Sequence, residues 1–152
     1  MQRGTSPVIG VVLLLAITVL SAAAVGLVVS NAPPEPPPTA AFDGAVDPVA
    51  DRITLTHVGG DTIDLTTVSV RITVDGDPLA RQPPVPFFAA KGFRSGPTGP
   101  FNTASPDRWR AGQTASFRLA ATNDPADISP GDTVRIRILT RQWTVAEITA
   151  TA

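Results

Sequence analysis

The sequence predicts a fold that is α+β in outline, with one N-terminal hydrophobic helix followed by an all-β, sandwich-like domain. Three observations carry this prediction. Residues 8–29 hold no charged side chain, residues 33–38 hold five prolines, and beyond Thr39 short runs of alternating apolar and polar residues replace the helical pattern. These are the signatures of an apolar helix, a stiff spacer and a set of half-buried strands.

The apolar segment is long enough to cross a membrane as a helix. Its 22 residues would rise about 33 Å, against a hydrocarbon core of about 30 Å. Ser6 and Pro7 stand where a helix begins, because serine caps a helix N-terminus and proline is tolerated in the first turn. Arg3 and the amino group are the only positive charges near the segment, which predicts a cytoplasmic N-terminus and an exported remainder.

Small residues recur along one side of this predicted helix. Thr18, Ala22, Gly26 and Ser30 lie four apart, a spacing that lets helix backbones approach closely. Two interpretations remain open: a packing seam between helices, or the ordinary richness of membrane helices in small residues.

The segment "APPEPPPT" predicts a proline-rich linker over 32–38, because consecutive prolines forbid helix and favour the extended polyproline II conformation. The predicted β domain then covers 39–152. Its clearest strands alternate strictly between two faces. The residues that share one face of their strand are Ile53, Leu55 and His57, then Val68, Val70, Ile72 and Val74, then Phe117 and Leu119. In the last such run Val134, Ile136 and Ile138 are expected to face in.

Several turn signals separate these strands. Gly59, Gly60 and Asp61 predict a hairpin or tight turn after the first strand, and Asp75-Gly76 ends the second. The run "WTVAEITATA" is expected to pair as a hairpin with the strand before it, across Arg141-Gln142. Several short strands separated by turns favour a two-sheet sandwich over an α/β domain.

An irregular loop is predicted over about 82–110, where prolines and glycines interrupt any period. Four phenylalanines lie within it. They are expected to pack back onto the core, with exposed contact to a neighbouring molecule as the alternative. The four are Phe87, Phe88, Phe93 and Phe101.

The composition excludes several classes of site. The chain has no cysteine, which removes disulfides and thiolate metal sites, and its net charge of −1 provides no basic field to attract nucleic acid. Eleven arginines are scattered along the chain beside the single lysine, Lys91. No nucleic-acid partner is therefore predicted.

Catalytic and metal-binding patterns are also lacking in the sequence. His57 is the only histidine and is expected to be a surface or strand-edge residue rather than a catalyst. Asp61 and Asp64 form at best a weak match to a calcium loop. The sequence predicts a protein without catalytic residues, metal or cofactor.

The opening "RGTSPVIGVVLLLAITVLSAAAVGLVV" resembles the N-terminal segment of archaeal type IV pilins, particularly those of haloarchaea, which carry a class III signal peptide. The resemblance implies a leader of residues 1–4, cleaved by a prepilin peptidase between Gly4 and Thr5, with Arg3 and Gly4 as recognition residues. It further implies that the helix over 5–31 survives cleavage, first as a membrane anchor and then in a filament core. The residues of the helix start motif are Ser6, Pro7, Val8, Ile9 and Gly10.

The resemblance also implies a set of partners. These are the prepilin peptidase, identical or related pilin subunits, a secretion ATPase and a membrane platform protein, with the membrane itself before assembly. Ile9 takes the fifth mature position, where bacterial pilins typically have glutamate, as expected for the archaeal group. The segment "ITLTHVGGDTIDLTTVSVRI" is similar to a recurring piece of the exported domains of these pilins.

Three functional hypotheses follow. The first is a type IV pilin subunit of a surface filament for adhesion or attachment. The second is a membrane-anchored extracellular β domain that binds a partner and never polymerises. The third is a secreted enzyme released by cleavage near Ala32, which the long apolar run and the lack of a catalytic pattern disfavour.

Overall fold

The computed structural model describes residues 6–30 and 36–152, and helix side chains over 7–25. The chain divides into two compact units, Met1–Pro36 and Pro37–Ala152. Each unit is described by itself. Of the predicted proline-rich linker, residues 32–35 lie outside the described part.

The first unit contains one helix, α1, spanning Ser6–Ser30. Its 25 residues rise about 37 Å at 1.5 Å per residue. Pro7 lies in the first turn, where its missing N–H has no intrahelical partner to lose. The helix forms because this segment is rich in alanine and leucine and carries no proline after Pro7 until Pro33.

The second unit is built from strands, with single 3-10 turns at Leu65–Thr67 and Gly99–Phe101. Helix accounts for 18% of the structure and strand for 40%, so the predicted fold class is confirmed. In chain order the strands are β1 (Ala40–Asp47), β2 (Arg52–Gly60), β3 (Ile63–Asp64), β4 (Ser69–Val74), β5 (Asp77–Pro78), β6 (Arg108–Trp109), β7 (Thr114–Arg118), β8 (Thr133–Leu139) and β9 (Thr144–Thr151).

The strands form three antiparallel sheets. The orders are β1-β2-β7, β5-β4-β8-β9 and the short pair β3-β6. One apolar core takes inward side chains from both larger sheets, for example Ile53 and Phe117 from the first and Ile72 and Ile136 from the second. The arrangement is therefore sandwich-like, with the alternating strands predicted from the sequence on its two sides.

The side chains predicted to share one face of a strand are buried on each of these strands. Along β4 and β8 every second residue is buried, from the second residue to the sixth. Arg135 and Arg137 point outward from β8, as expected. The β8–β9 hairpin also forms where it was predicted, closed by a bond of 2.7 Å from the Thr140 N–H to the Trp143 carbonyl.

One full strand was not predicted. β1 has the sequence AAFDGAVD, in which Phe42, Gly44 and Val46 face inward and alternate with exposed residues. The strand is not evident from the sequence, because alanine, glycine and aspartate have low β-propensity. The strand contacts β9 of the other sheet. At Gly44 this approach is so close that an added Cβ would lie 2.7 Å from Ile148 Cγ2.

The turn signal after β2 marks a break, but no hairpin between its flanking strands. β2 pairs with β1 and β7, whereas the next strand, β3, pairs with β6. Gly60 ends β2 with a φ of 97°, a conformation that glycine adopts without strain. Asp61 then bonds Thr39 twice, its N–H donating to the Thr39 carbonyl at 2.8 Å and its Oδ2 accepting from the Thr39 N–H at 3.0 Å.

The irregular segment 82–110 packs tightly against the sandwich. Phe87, Phe93 and Phe101 are buried, as expected, whereas Phe88 is 61% exposed. Gln82 anchors the start of the segment, since its side chain accepts from the Ile72 N–H at 2.7 Å and donates to the Ile72 carbonyl at 3.0 Å. The segment thus covers one edge of β4 with side-chain hydrogen bonds.

Candidate functional site

Helix α1 is apolar on every side. In the single chain its large side chains from Val8 to Val25 are more than half exposed, from 57% at Ile9 to 69% at Leu20. No acidic residue lies in the first turn and no basic residue in the last. A helix that is apolar all round belongs in a membrane or in the centre of a larger assembly.

The length of α1 suits a membrane. Over Pro7–Val25 the mean hydropathy is 2.8, and this segment is long and apolar enough to cross a bilayer. Within the described part of α1, the Thr18 hydroxyl donates a hydrogen bond to the Leu15 carbonyl at 2.8 Å. That bond removes an unsatisfied donor from the helix surface.

The predicted start of the helix agrees with its observed start at Ser6. The next four residues of the predicted motif lie at the beginning of the helix and are exposed: Pro7, Val8, Ile9 and Gly10. The predicted cleavage residues Arg3, Gly4 and Thr5 lie outside the described residues, and so does the side chain of Ser6 with its predicted capping role.

The predicted small-residue stripe lies within the helix. Thr18 and Ala22 are exposed, while the side chains at Gly26 and Ser30 lie outside those described. Gly10 is also open, because nothing lies within 4 Å of where its Cβ would be. The chain itself therefore places no steric demand for glycine at position 10.

His57 is buried, so the prediction of a surface or strand-edge residue is wrong. It is 0% exposed and lies on β2, the central strand of its sheet. Nδ1 lies 3.2 Å from the Trp109 carbonyl and Nε2 lies 3.0 Å from the Gly59 carbonyl. The ring also stacks on Phe42 at a centroid distance of 4.7 Å. Aromatic packing and the ring N–H, which donates to one of these two carbonyls, offset the cost of burying the imidazole.

The side-chain carboxylates of Asp61 and Asp64 each accept a hydrogen bond from a backbone N–H. Asp61 holds Thr39, as described above, and Asp64 Oδ1 accepts from the Thr66 N–H at 2.9 Å and from the Thr66 hydroxyl at 2.6 Å. These two bonds, the hydroxyl first, lower the pKa of Asp64. In the described part of the chain no group of three histidine, aspartate or glutamate residues is placed to hold a metal ion.

One cluster was missed by sequence reasoning. Arg52, Arg94 and Arg118 line a pocket of about 190 Å³ beside the paired strands β2 and β7, together with Ser95, Gly96, Thr98, Ser116 and Phe117. We call it the arginine pocket. Its three arginines are far apart in sequence: the pairing of β2 with β7 brings Arg52 to Arg118, and a backbone hydrogen bond to Arg118 adds Arg94.

Comparison with known proteins gives two findings. Residues 3–42 match a family model described as "Archaeal Type IV pilin, N-terminal". A protein of Archaeoglobus fulgidus described as uncharacterized is 42% identical over 74 residues, covering 47% of this chain and 52% of the relative. The chain thus spans about half the length of that relative.

The matched range contains the whole of α1 and ends within β1. The resemblance of the opening residues to archaeal type IV pilins is thereby confirmed. Pilins are structural proteins and not enzymes.

Proposed function

We propose that this chain, whose N-terminal segment is that of an archaeal type IV pilin, is a pilin subunit of a surface filament used for adhesion or attachment. In this proposal a prepilin peptidase cuts between Gly4 and Thr5, and the mature helix assembles with identical or related subunits. A secretion ATPase and a membrane platform protein drive the assembly.

The observation that carries the proposal is the exposure of α1. A helix with apolar side chains on all sides, and 57% to 69% of each large one exposed, has to be covered by lipid or by other helices. The resemblance to archaeal type IV pilins implies both uses in turn, and the family-model match over residues 3–42 supports that resemblance. Transfer from lipid to a bundle of copies replaces one apolar surround by another, so it carries little desolvation cost.

The charge distribution supports the proposed route. Before cleavage Arg3 and the amino group hold the N-terminus on the cytoplasmic side. Cleavage after Gly4 removes Arg3 and leaves a mature segment whose only charge before Glu35 is the new amino group of Thr5. The subunit is then placed first in the cell membrane as a single-pass protein and later in the extracellular filament.

A second function remains in competition. The same helix and β domain would serve a membrane-anchored extracellular binding module that does not polymerise. Such a tether needs no processing at Gly4-Thr5, whereas a subunit does. The hypothesis of a secreted enzyme predicts instead a released protein that begins at Pro33.

The deciding measurement is the N-terminal sequence of the protein recovered from membranes and from sheared surface filaments of its native host. Thr5 as the first residue, with protein in the sheared fraction, supports the subunit. An intact Met1 or Gln2 confined to the membrane fraction contradicts it and leaves the tethered domain.

A pair of glycine variants sharpens the test. Gly4→Val is expected to block processing and to keep the protein out of the sheared fraction, because Gly4 is the proposed cleavage residue. Gly10→Ala is the matched control, since a Cβ at position 10 meets nothing within 4 Å. It is expected to be processed normally, and equal processing of both variants would contradict cleavage at Gly4.

A further inference from the structure

We propose that the arginine pocket binds a sulfate or carboxylate group of an acidic polysaccharide. The site belongs to the β domain, and the inference does not depend on whether α1 polymerises. It assigns to the exported part of the chain a binding role that neither the apolar helix nor the pilin resemblance specifies.

Strand pairing brings the first two arginines together. Arg52 on β2 and Arg118 on β7 are directly opposite residues of an antiparallel pair. Their side chains point to the outer face of the sheet, since the flanking Ile53 and Phe117 are buried on the inner one. Residues directly opposite each other have Cβ atoms about 5 Å apart.

The irregular segment adds the third arginine. The Arg94 N–H donates to the Arg118 carbonyl at 2.9 Å, which fixes this part of the segment beside β7. Further along, Thr98 forms an antiparallel bridge with Ser116. The pocket is therefore framed by regular backbone hydrogen bonds and does not depend on the position of a free loop.

Among the described residues, none of the three arginines forms an ion pair. The ion pair among the residues described here, Arg135 with Glu147 at 3.6 Å, lies on the other sheet. Asp47 is opposite Arg52 across β1 and β2, but its Oδ1 accepts from the N–H groups of Val49 and Ala50. Like charges opposite each other destabilise a sheet, so an anion bound between them relieves a repulsion already built into the fold.

The hydroxyl groups leave one proton for a ligand. Thr98 Oγ1 and Ser116 Oγ lie 2.8 Å apart and share one hydrogen bond. Each hydroxyl has a single proton, so the one that accepts in this bond retains its own to donate elsewhere. The three guanidinium groups carry donors only, and this hydroxyl proton adds one more, so the pocket offers a surplus of donors that suits an acceptor such as an oxyanion.

The size and composition of the pocket favour a charged sugar over a lone ion. Its volume of about 190 Å³ equals about six water molecules at ~30 Å³ each. A single sulfate or carboxylate leaves part of this volume free for the ring that carries it. The serine and threonine hydroxyls suit the hydroxyls of that ring.

The chain supplies an internal control for the charge. Arg71 on β4 and Arg137 on β8 are also directly opposite and exposed, but on the open face of the four-stranded sheet and outside the pocket. The double variants Arg52→Gln/Arg94→Gln and Arg71→Gln/Arg137→Gln remove the same charge. Neither the Arg52 nor the Arg94 side chain makes a hydrogen bond within the described residues, so the first variant is expected to fold normally.

The experiment is calorimetric titration of the full chain in an uncharged detergent at 0.15 M NaCl. The probes are dextran sulfate, polygalacturonate, unmodified dextran of matched length, and inorganic sulfate. Both charged polymers are expected to bind, and unmodified dextran is not. The pocket variant is expected to weaken binding about tenfold or more, because it removes two charged hydrogen-bond donors. The control variant is expected to stay within about twofold, and matching near-ultraviolet circular dichroism spectra verify the fold of both.

Four results would overturn the proposal. Equal losses in the two variants would mean that the polymers sense only overall charge. Binding of unmodified dextran as tight as that of dextran sulfate would mean that the anion is not recognised. Binding of inorganic sulfate without either charged polymer would mean an adventitious ion only. Self-association that Arg52→Gln/Arg94→Gln abolishes, without polymer binding, would assign the pocket to an acidic side chain of a second copy.

Discussion

At the scale of single residues, His57 shows how a polar side chain is used inside the β domain. It lies between Phe42, at 4.7 Å between ring centroids, and Trp109, at 6.1 Å. Its two nitrogens reach carbonyls on β2 itself and on β6, which belong to different sheets. One ring therefore fixes the distance between the three-stranded sheet and the β3-β6 pair.

His57→Ala is expected to destabilise the protein by about 3 kcal/mol, because it opens a cavity among the aromatic rings and removes the ring N–H that donates to one of the two carbonyls. The free energy of unfolding is measured by urea titration of the full chain in uncharged detergent. Val58→Ala is the matched control, because Val58 is the next residue along β2 and its side chain is 58% exposed. A loss no larger than that of the control would contradict the structural role of His57.

At the scale of elements, Gly44 explains how β1 and β9 come into contact. A Cβ at this position would lie 2.7 Å from Ile148 Cγ2 and 3.4 Å from Leu55 Cδ2. β1 therefore needs glycine at the point where the two sheets approach each other. Exposed aspartates stand directly before this glycine, at Asp43, and three residues after it, at Asp47. Aspartate and glycine are rare in strands, so the sequence of β1 does not resemble that of a strand.

Gly44→Ala is expected to cost about 1–3 kcal/mol of unfolding free energy, the usual effect of overpacking a core. Gly59→Ala provides the comparison, because nothing lies within 4 Å of a Cβ at that position of β2. That variant is expected to stay within about 0.5 kcal/mol of the unsubstituted protein. Thermal unfolding of the two variants side by side checks this, and equal midpoints would show that β1 can shift away from β9 freely.

The helix is the second element with a testable geometry. Ala22 belongs to the predicted small-residue stripe, whereas Ala24, two residues on, lies about 200° around the helix axis. Ala22→Leu is expected to reduce the protein in the sheared filament fraction several-fold, because leucine holds neighbouring backbones apart. Ala24→Leu adds the same bulk to the other side and is expected to assemble normally.

Both helix variants remain apolar and are expected to stay in the membrane before assembly. Immunoblots of the membrane and sheared fractions separate the two effects. Equal assembly of Ala22→Leu and Ala24→Leu would leave the stripe as ordinary membrane-helix composition, the alternative that the sequence also allows.

The sequence predicts those elements whose own pattern of apolar and polar residues shows which side chains are buried. β4 and β8 alternate β-branched residues with polar ones, so their burial follows from the order of residues alone. The apolar run of α1 likewise defines a helix without reference to the rest of the chain. β1 does not, because alanine, glycine and aspartate become a strand only through pairing with β2.

The same distinction applies to the candidate sites. The predicted cleavage residues and the predicted helix start are local motifs, so both can be proposed from the sequence alone. The arginine pocket depends on contacts between Arg52 and Arg118, 66 positions apart, and no local pattern encodes that pairing. His57 was misplaced for a similar reason, since the aromatic rings that bury it come from β1 and β6.

At the scale of the whole molecule, the two units differ in what covers their apolar surface. Every residue of the buried apolar core belongs to Pro37–Ala152, whereas the large side chains of α1 between Val8 and Val25 are exposed. The β unit thus satisfies its own apolar surface, and the helix requires lipid or other helices. Removing residues 1–36 deletes none of the core residues found in the described part of the chain.

Residues 37–152 alone are therefore expected to fold cooperatively and to dissolve without detergent. A domain of this size has an unfolding free energy of about 5–15 kcal/mol. Urea unfolding followed by tryptophan fluorescence and by circular dichroism is expected to give a single shared midpoint, because Trp109 is wholly buried in the core. Non-coincident transitions, or aggregation without detergent, would mean that the helix supports the β unit and is more than its membrane and assembly segment.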